Sequence, residues 1–213
     1  MFEQPIVMLD FETTGLSPAM GDRITEVAAL RIVNGKVSER FVSLVNCQVR
    51  IPSFITQLTG ISQAMVERAP CVSRVVPELL DFIGSDMLAA HNASFDEKFL
   101  KAEAEQLGLQ TRHASLVCSL KLSRRVFPGM SSYKLGLLSS QLGIRFRSAA
   151  HRAESDAEVA AEVLSHIGRH LDRQYGLGPV APQLLLAVNK LSAAKVPGYL
   201  SQYAREKSAS PLT

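Results

Sequence analysis

Ile6, Val7, Met8 and Leu9 are four consecutive large apolar residues, and Asp10 and Glu12 follow at once. A strand with no polar side belongs in the middle of a sheet covered on both faces. The chain must therefore build layers around this segment, and the acids at its end need a reason. Residues two apart on a strand share a face, with side chains about 7 Å apart along it, so Asp10 and Glu12 can lean toward one point. Two carboxylates taken out of water together require a proton or a cation to offset repulsion and desolvation. Oxygen-only ligands favour Mg²⁺ or Mn²⁺ over zinc. The plainer alternative is a strand that stops at Leu9 with the acids solvated in a turn, and a lone Asp-x-Glu does not exclude it.

Residues 5–12 and 24–33 read as strands, and Asn34-Gly35 is a hairpin turn into a third strand over 37–46. Periodicity predicts a helix over 73–83, a short apolar strand over 87–91, and helices over 95–107, 116–126, 134–142 and 153–171. Strands first, then alternating strand and helix, predict an α/β sandwich on a mixed sheet. With 213 residues, 46% of them hydrophobic, there is material for one full core and an appendage. The expected division is a main domain over 1–175 and, over 176–213, a Gly- and Pro-rich linker with a short helical tail. In that tail Pro182 is placed to begin a helix with Leu184, Val188 and Leu191 on one face, and Pro197 to begin another with Tyr199 and Tyr203 stacked.

No apolar stretch approaches the ~20 residues that cross a bilayer, and the N-terminus has no basic region before its apolar part. Cys47, Cys71 and Cys118 are scattered singly, with neither disulfide nor zinc spacing. The expectation is a soluble cytoplasmic protein without membrane contact. The net charge is +3, and its placement says more than its size. Between residues 106 and 153 there is no acid, whereas Arg112, Lys121, Arg124, Arg125, Lys134, Arg145, Arg147 and Arg152 all fall there. Such a block is a candidate guide for a polyanion such as nucleic acid, or an ordinary solvated face.

Two further segments carry acids at special places. In HNASFDEKFL, residues 91–100, Asp96 falls in the first turn of a helix whose start is expected at a capping box of Ser94 and Glu97. The helix dipole suits an acid there, yet the turn also lies at a strand end, where α/β sheets gather ligands. In HRAESDAEVAAEVLSHI, residues 151–167, Asp156 shares the inward stripe of Ala160, Val163, Leu164, Ile167 and Leu171. An inward carboxylate is unusual. His151 lies five residues earlier, about 140° round a helix, and faces the same place as Asp156 only from the loop before the helix.

DFETTG, HNASFD and HRAESDA, in this order, closely resemble the three motifs of the DEDDh 3′–5′ exonucleases, the group that includes the proofreading epsilon subunit of bacterial DNA polymerase III. DRITEVAAL, LTGIS, LSRRVFPG and YKLGLLSSQLGI agree as well, and the resemblance covers about residues 5–171. One departure is Cys118-Ser119-Leu120, where many relatives carry Asp-Thr-Leu. The resemblance implies a ribonuclease H-like fold in which Asp10, Glu12, Asp96 and Asp156 hold two divalent cations, Mg²⁺ or Mn²⁺, and His151 is the general base. It also implies nucleic-acid contacts. The Thr13 backbone and Glu12 would meet the terminal 3′-hydroxyl beside Thr14, Leu58 and Thr59 would wedge against the last bases, and Asn92 and Phe95 would line the pocket.

The implied activity is release of nucleoside 5′-monophosphates from single-stranded 3′ ends, DNA in a proofreading or repair role or RNA in an exoribonuclease. Two other classes compete: a non-catalytic polymerase-docking module, and a small-molecule phosphoesterase using the same ions. The tail is expected either to pack back on the main domain or to bind a second copy, a polymerase-type partner or nucleic acid.

Overall fold

The computed structural model describes residues 2–146 and 150–209. It opens with an antiparallel meander of β1 (Ile6–Thr13), β2 (Ile24–Val33) and β3 (Lys36–Leu44). Asn34 and Gly35 join the last two with φ of +51° and +71°, the paired left-handed turn that Asn-Gly favours. Then come α1 (Ser53–Thr59), α2 (Gln63–Glu67), α3 (Val72–Ile83), β4 (Met87–Ala90), α4 (Ser94–Gln106), β5 (Leu116–Cys118), α5 (Ser119–Val126) and α6 (Leu135–Gln141). The long α7 (Ala153–Tyr175) is followed by α8 (Pro182–Lys190) and α9 (Val196–Ala209). The sheet order is β3-β2-β1-β4-β5, antiparallel across the first three strands and parallel from β1 through β4 to β5.

The all-apolar start of β1 sits at the centre of this sheet, and its residues 6–9 are fully covered. Alternation sends Ile6 and Met8 into the layer formed by α7, α8 and α9, while Val7, Leu9 and Phe11 face the layer of α3 and α4. Asp10 and Glu12 continue the Ile6–Met8 face. They therefore emerge toward α7, the helix that packs across β1 and β2.

Several expectations change. A helix was predicted from residue 116, but Leu116, Val117 and Cys118 form β5 and the helix starts at Ser119. Three apolar residues have no period of their own, and pairing with β4 decides them. The short α1 and α2 were not foreseen, being only seven and five residues long. No capping box forms at α4: Ser94 is already helical, Ala93 is the cap and makes no side-chain bond, and Glu97 pairs with Lys101 one turn on.

The tail belongs to the core. Leu184, Leu185, Val188, Val196 and Leu200 are buried in the same apolar cluster as Ile6, Met8 and Leu30. Asn189 reaches the free edge of β5, accepting from the Cys118 amide at 3.2 Å and donating to its carbonyl at 2.9 Å. An unpaired edge strand is thereby closed by a side chain that mimics a peptide. Arg125 donates to the Leu191 carbonyl, and Lys207 to the carbonyls of Leu177 and Pro179. Of the two expectations for the tail, packing back on the main domain is the one these apolar contacts fit. Among the described residues no helix is long and apolar enough to cross a membrane.

Candidate active site

β1, β4 and β5 are parallel and deliver their carboxyl ends to one side of the sheet. Asp10 and Glu12 lie there on β1, Asp96 enters from the first turn of α4 just after β4, and Asp156 from the first turn of α7. One oxygen each of Asp10, Glu12 and Asp156 lies within 4.8 Å of the others. Asp96 stands outside that tight set but adjoins it. It is 3% exposed, and its Oδ1 accepts the Phe11 amide at 3.2 Å, which ties α4 to the strand between the other two acids.

The four acids are held against their own charge. Burial, followed by the fields of Asp96, Asp156, Glu12 and Glu26, raises Asp10 well above the usual carboxylate range. Burial and the charges of Asp156 and Glu26 push Glu12 up to about 8, and burial carries Asp96 to about 8 despite its amide hydrogen bonds. Asp156 is raised by burial and lowered by His151. Its Oδ1 is buried without a hydrogen-bond partner. A buried, unpaired carboxylate oxygen among other acids is unfavourable unless a cation neutralises it, so these residues fit divalent ions with oxygen ligands.

This geometry predicts how metal-free stability depends on pH. A carboxyl whose folded pKa exceeds its unfolded value binds its proton more tightly when folded. Its stabilising contribution is complete below about 4 and is lost as pH rises through the folded value near 8. In chelator, the melting temperature should fall steadily from about pH 5 to about pH 9, and saturating Mg²⁺ or Mn²⁺ should flatten that slope by replacing the proton. Circular-dichroism melts check it, and a chelated protein more stable at pH 9 than at pH 5 would contradict it.

His151 occupies the loop ahead of α7, the position in which it can face Asp156. It is exposed, has φ of +62°, and its backbone hydrogen-bonds toward Asp156. Of the pocket residues, Leu58 is 52% exposed on α1 beside Phe54 at 62%. Both β1 and β3 are antiparallel to β2, so β3, which α1 follows in the chain, ends on the side of the sheet that carries the acids. Thr59 is different: it is buried, and its hydroxyl donates to Ile55 and accepts from Ile61, so it braces the end of α1 and offers no surface to a base. The Thr13 hydroxyl donates to Gly15, and that of Thr14 accepts the Arg23 amide, both within the loop. Asn92 is exposed with φ of +75°, and the Phe95 ring packs 5.1 Å from Phe99.

Three cations of the basic block have partners within the chain. Arg152 is taken by Glu26, Arg125 by the tail, and Arg124 lies over the Tyr133 ring. Arg112 lies in the segment between α4 and β5. Arg147 lies outside the described residues. Absence of acids in a stretch of sequence says nothing about which cations share a face.

Sequence reading missed Glu26 and His91. Glu26 was detectable as the one acid in ITEVAALRIV, a strand buried from Ile24 through Leu30. His91 joins the Ser119 hydroxyl and the Tyr133 carbonyl, each at 2.9 Å. Ser119 thus supplies a hydroxyl where many relatives carry threonine, and the amide and carbonyl of Cys118 are used by Asn189.

A ribonuclease H-like sheet with a carboxylate cluster at the ends of its parallel strands defines a class of metal-dependent nucleases. The family model RNase_T, described as Exonuclease, matches residues 7–164, and the chain belongs to that family. It is 36% identical over 212 residues to the 3′-5′ exonuclease DinG of Bacillus subtilis (strain 168), covering 93% of this chain and 23% of that protein. It is 35% identical over 179 residues to the DNA polymerase III subunit epsilon of Aquifex aeolicus (strain VF5), covering 84% and 87%. The chain thus spans less than a quarter of the first of these relatives. Among solved structures, Exonuclease X in complex with 5′ overhanging duplex DNA superposes with a TM-score of 0.68 at 26% identity, covering 86% of this chain and 99% of that one. The nuclease domain of 3′hExo, a DEDDh family member bound to rAMP, shares the fold with a TM-score of 0.65 at 21% identity, covering 76% and 90%.

Proposed function

We propose that the chain is a metal-dependent 3′–5′ exonuclease that releases nucleoside 5′-monophosphates from single-stranded DNA ends in proofreading or repair. The observation that carries this reading is the convergence of Asp10, Glu12 and Asp156, together with a buried Asp156 oxygen that has no partner. With Asp96 these residues would hold two divalent cations, Mg²⁺ or Mn²⁺. Such ions supply a water of lowered pKa and charge stabilisation for the leaving 3′-oxygen. His151, exposed beside Asp156, takes the proton of the attacking water, a role an imidazole performs at neutral pH. Leu58 and Phe54 offer apolar surface against which a terminal base stacks, while the Thr13 backbone, Asn92 and Phe95 border the 3′ nucleotide. The similarity to a polymerase epsilon subunit along most of both chains supports DNA as the substrate.

The exonuclease unit comprises residues 1–175 and the tail residues 176–213; the tail's helices α8 and α9 brace that unit. A polymerase-type partner or second copy would meet the exposed Lys190, Lys195 and Arg205 of the tail, because its apolar residues are used. Three unpaired cysteines suit the reducing cytoplasm.

Matched 5′-labelled single-stranded DNA and RNA, each with a free or a blocked 3′ end, test the proposal. With Mg²⁺ or Mn²⁺ the free DNA end should shorten stepwise to 5′-monophosphates, while the blocked end resists and a duplex is cut more slowly. Rapid cleavage of circular single-stranded DNA would show an endonuclease. Faster digestion of RNA would move the substrate to RNA.

A further inference from the structure

Glu26 pairs in register with Glu12 on the neighbouring strand and is 3% exposed, yet it is not one of the three converging carboxylates. Both of its oxygens are already used. Oε1 accepts from Arg152 at 2.5 Å (Nη2) and 3.2 Å (Nε), and Oε2 accepts from Arg152 Nε at 3.0 Å and from the Ala153 amide at 2.9 Å. Arg152 is the cap of α7 but makes no side-chain cap bond of its own. Glu26 therefore satisfies an orphan amide of α7 from across the sheet and grips the residue next to His151. His151 has φ of +62°, a conformation a non-glycine residue keeps only where its surroundings impose it.

We infer that Glu26 and Arg152 form a positioning pair that holds His151 in the left-handed conformation aimed at the carboxylate cluster. The inference rests on the reading of His151 as the base. Arg152 pairs with Glu26 and so offsets part of the negative charge that Glu26 brings to an acidic site. Asp156 has a separate anchor, because Ala153, Ala157 and Ala160 of the same helix are buried against the sheet. Loosening the clamp therefore releases the histidine before it releases the metal ligands.

The test is a double-mutant cycle with steady-state kinetics on a single-stranded oligonucleotide and Mn²⁺ titration calorimetry. Glu26→Gln keeps the shape and an acceptor for Ala153 but removes the charge pairing. It should lower kcat by about 10- to 100-fold, with KM and Mn²⁺ affinity unchanged, and Arg152→Lys should retain more activity than Arg152→Gln. In a His151→Ala background, Glu26→Gln should have almost no further effect, because residues acting as one unit are not additive. If the two losses multiply, or if Glu26→Gln weakens Mn²⁺ binding in step with kcat, the positioning pair is overturned while the base reading stands. If His151→Ala turns over at the parental rate, the base reading itself falls, whatever Glu26→Gln does.

Discussion

Asp156→Asn should eliminate turnover by more than about 10³-fold, beyond the roughly 10- to 100-fold that loss of an outer partner costs, and leave the chelated protein at least as stable as the parent. The physical basis is that folding spends stability to hold Asp156 beside Asp10, Glu12 and Glu26. Its carboxylate is raised by burial, and its Oδ1 has no hydrogen-bond donor. Replacing it with a neutral amide relieves repulsion but takes the charge from one of the three carboxylates that converge. Asp10→Asn should behave alike, since burial and four neighbouring acids raise Asp10. Melts in chelator at about pH 8 should show equal or higher midpoints, while Mn²⁺ should no longer raise them as it does in the parent. Activity lost only in proportion to unfolded protein would mean that the acids are structural.

Removing residues 178–213 should have the largest effect on stability. The deletion takes Leu184, Leu185, Val188, Val196 and Leu200 out of the main apolar cluster. At roughly 1.5–3 kcal/mol for each buried aliphatic side chain, the loss is comparable to the roughly 5–15 kcal/mol that stabilises a typical domain. The cut also removes Asn189 and leaves the amide and carbonyl of Cys118 without partners. The truncated chain should lose its cooperative thermal transition and bind a hydrophobic dye. Asn189→Ala alone should cost about 1–3 kcal/mol, the penalty of an unsatisfied buried polar group. A truncated protein that keeps its melting midpoint but loses self-association by light scattering would make the tail a docking element instead.

The four acids proposed for the site stood out in the sequence because each sits where its neighbours are apolar or helical. Asp10 and Glu12 end a strand with no solvent side, and Asp156 lies on a stripe of core residues. Their joint order resembled one family, and the structure brings three of the acids together and the fourth beside them. The hydrogen bonds of Thr59 and Arg152 were not legible in the sequence, the first because the short α1 has too few residues to show a period, the second because its partner is far away in the chain. The Thr59 hydroxyl is used by the backbone of its own helix end, and Arg152 pairs with a glutamate 126 residues distant.

The sequence by itself determined what a local period can specify: the meander around Asn34-Gly35, the burial of β1, the helical face that aims Asp156 inward, and the identity of the acids. Tertiary structure alone decided three other matters. Leu116, Val117 and Cys118 became a strand because β4 offered an edge. The tail became part of the core because the free side of β5 needed a partner that Asn189 could supply. Glu26 became the anchor of the His151 loop because β2 runs beside the start of α7. Each of these is a pairing between segments distant in the chain, and the hydrophobic pattern of one segment carries no record of the donor or acceptor that another will bring to it.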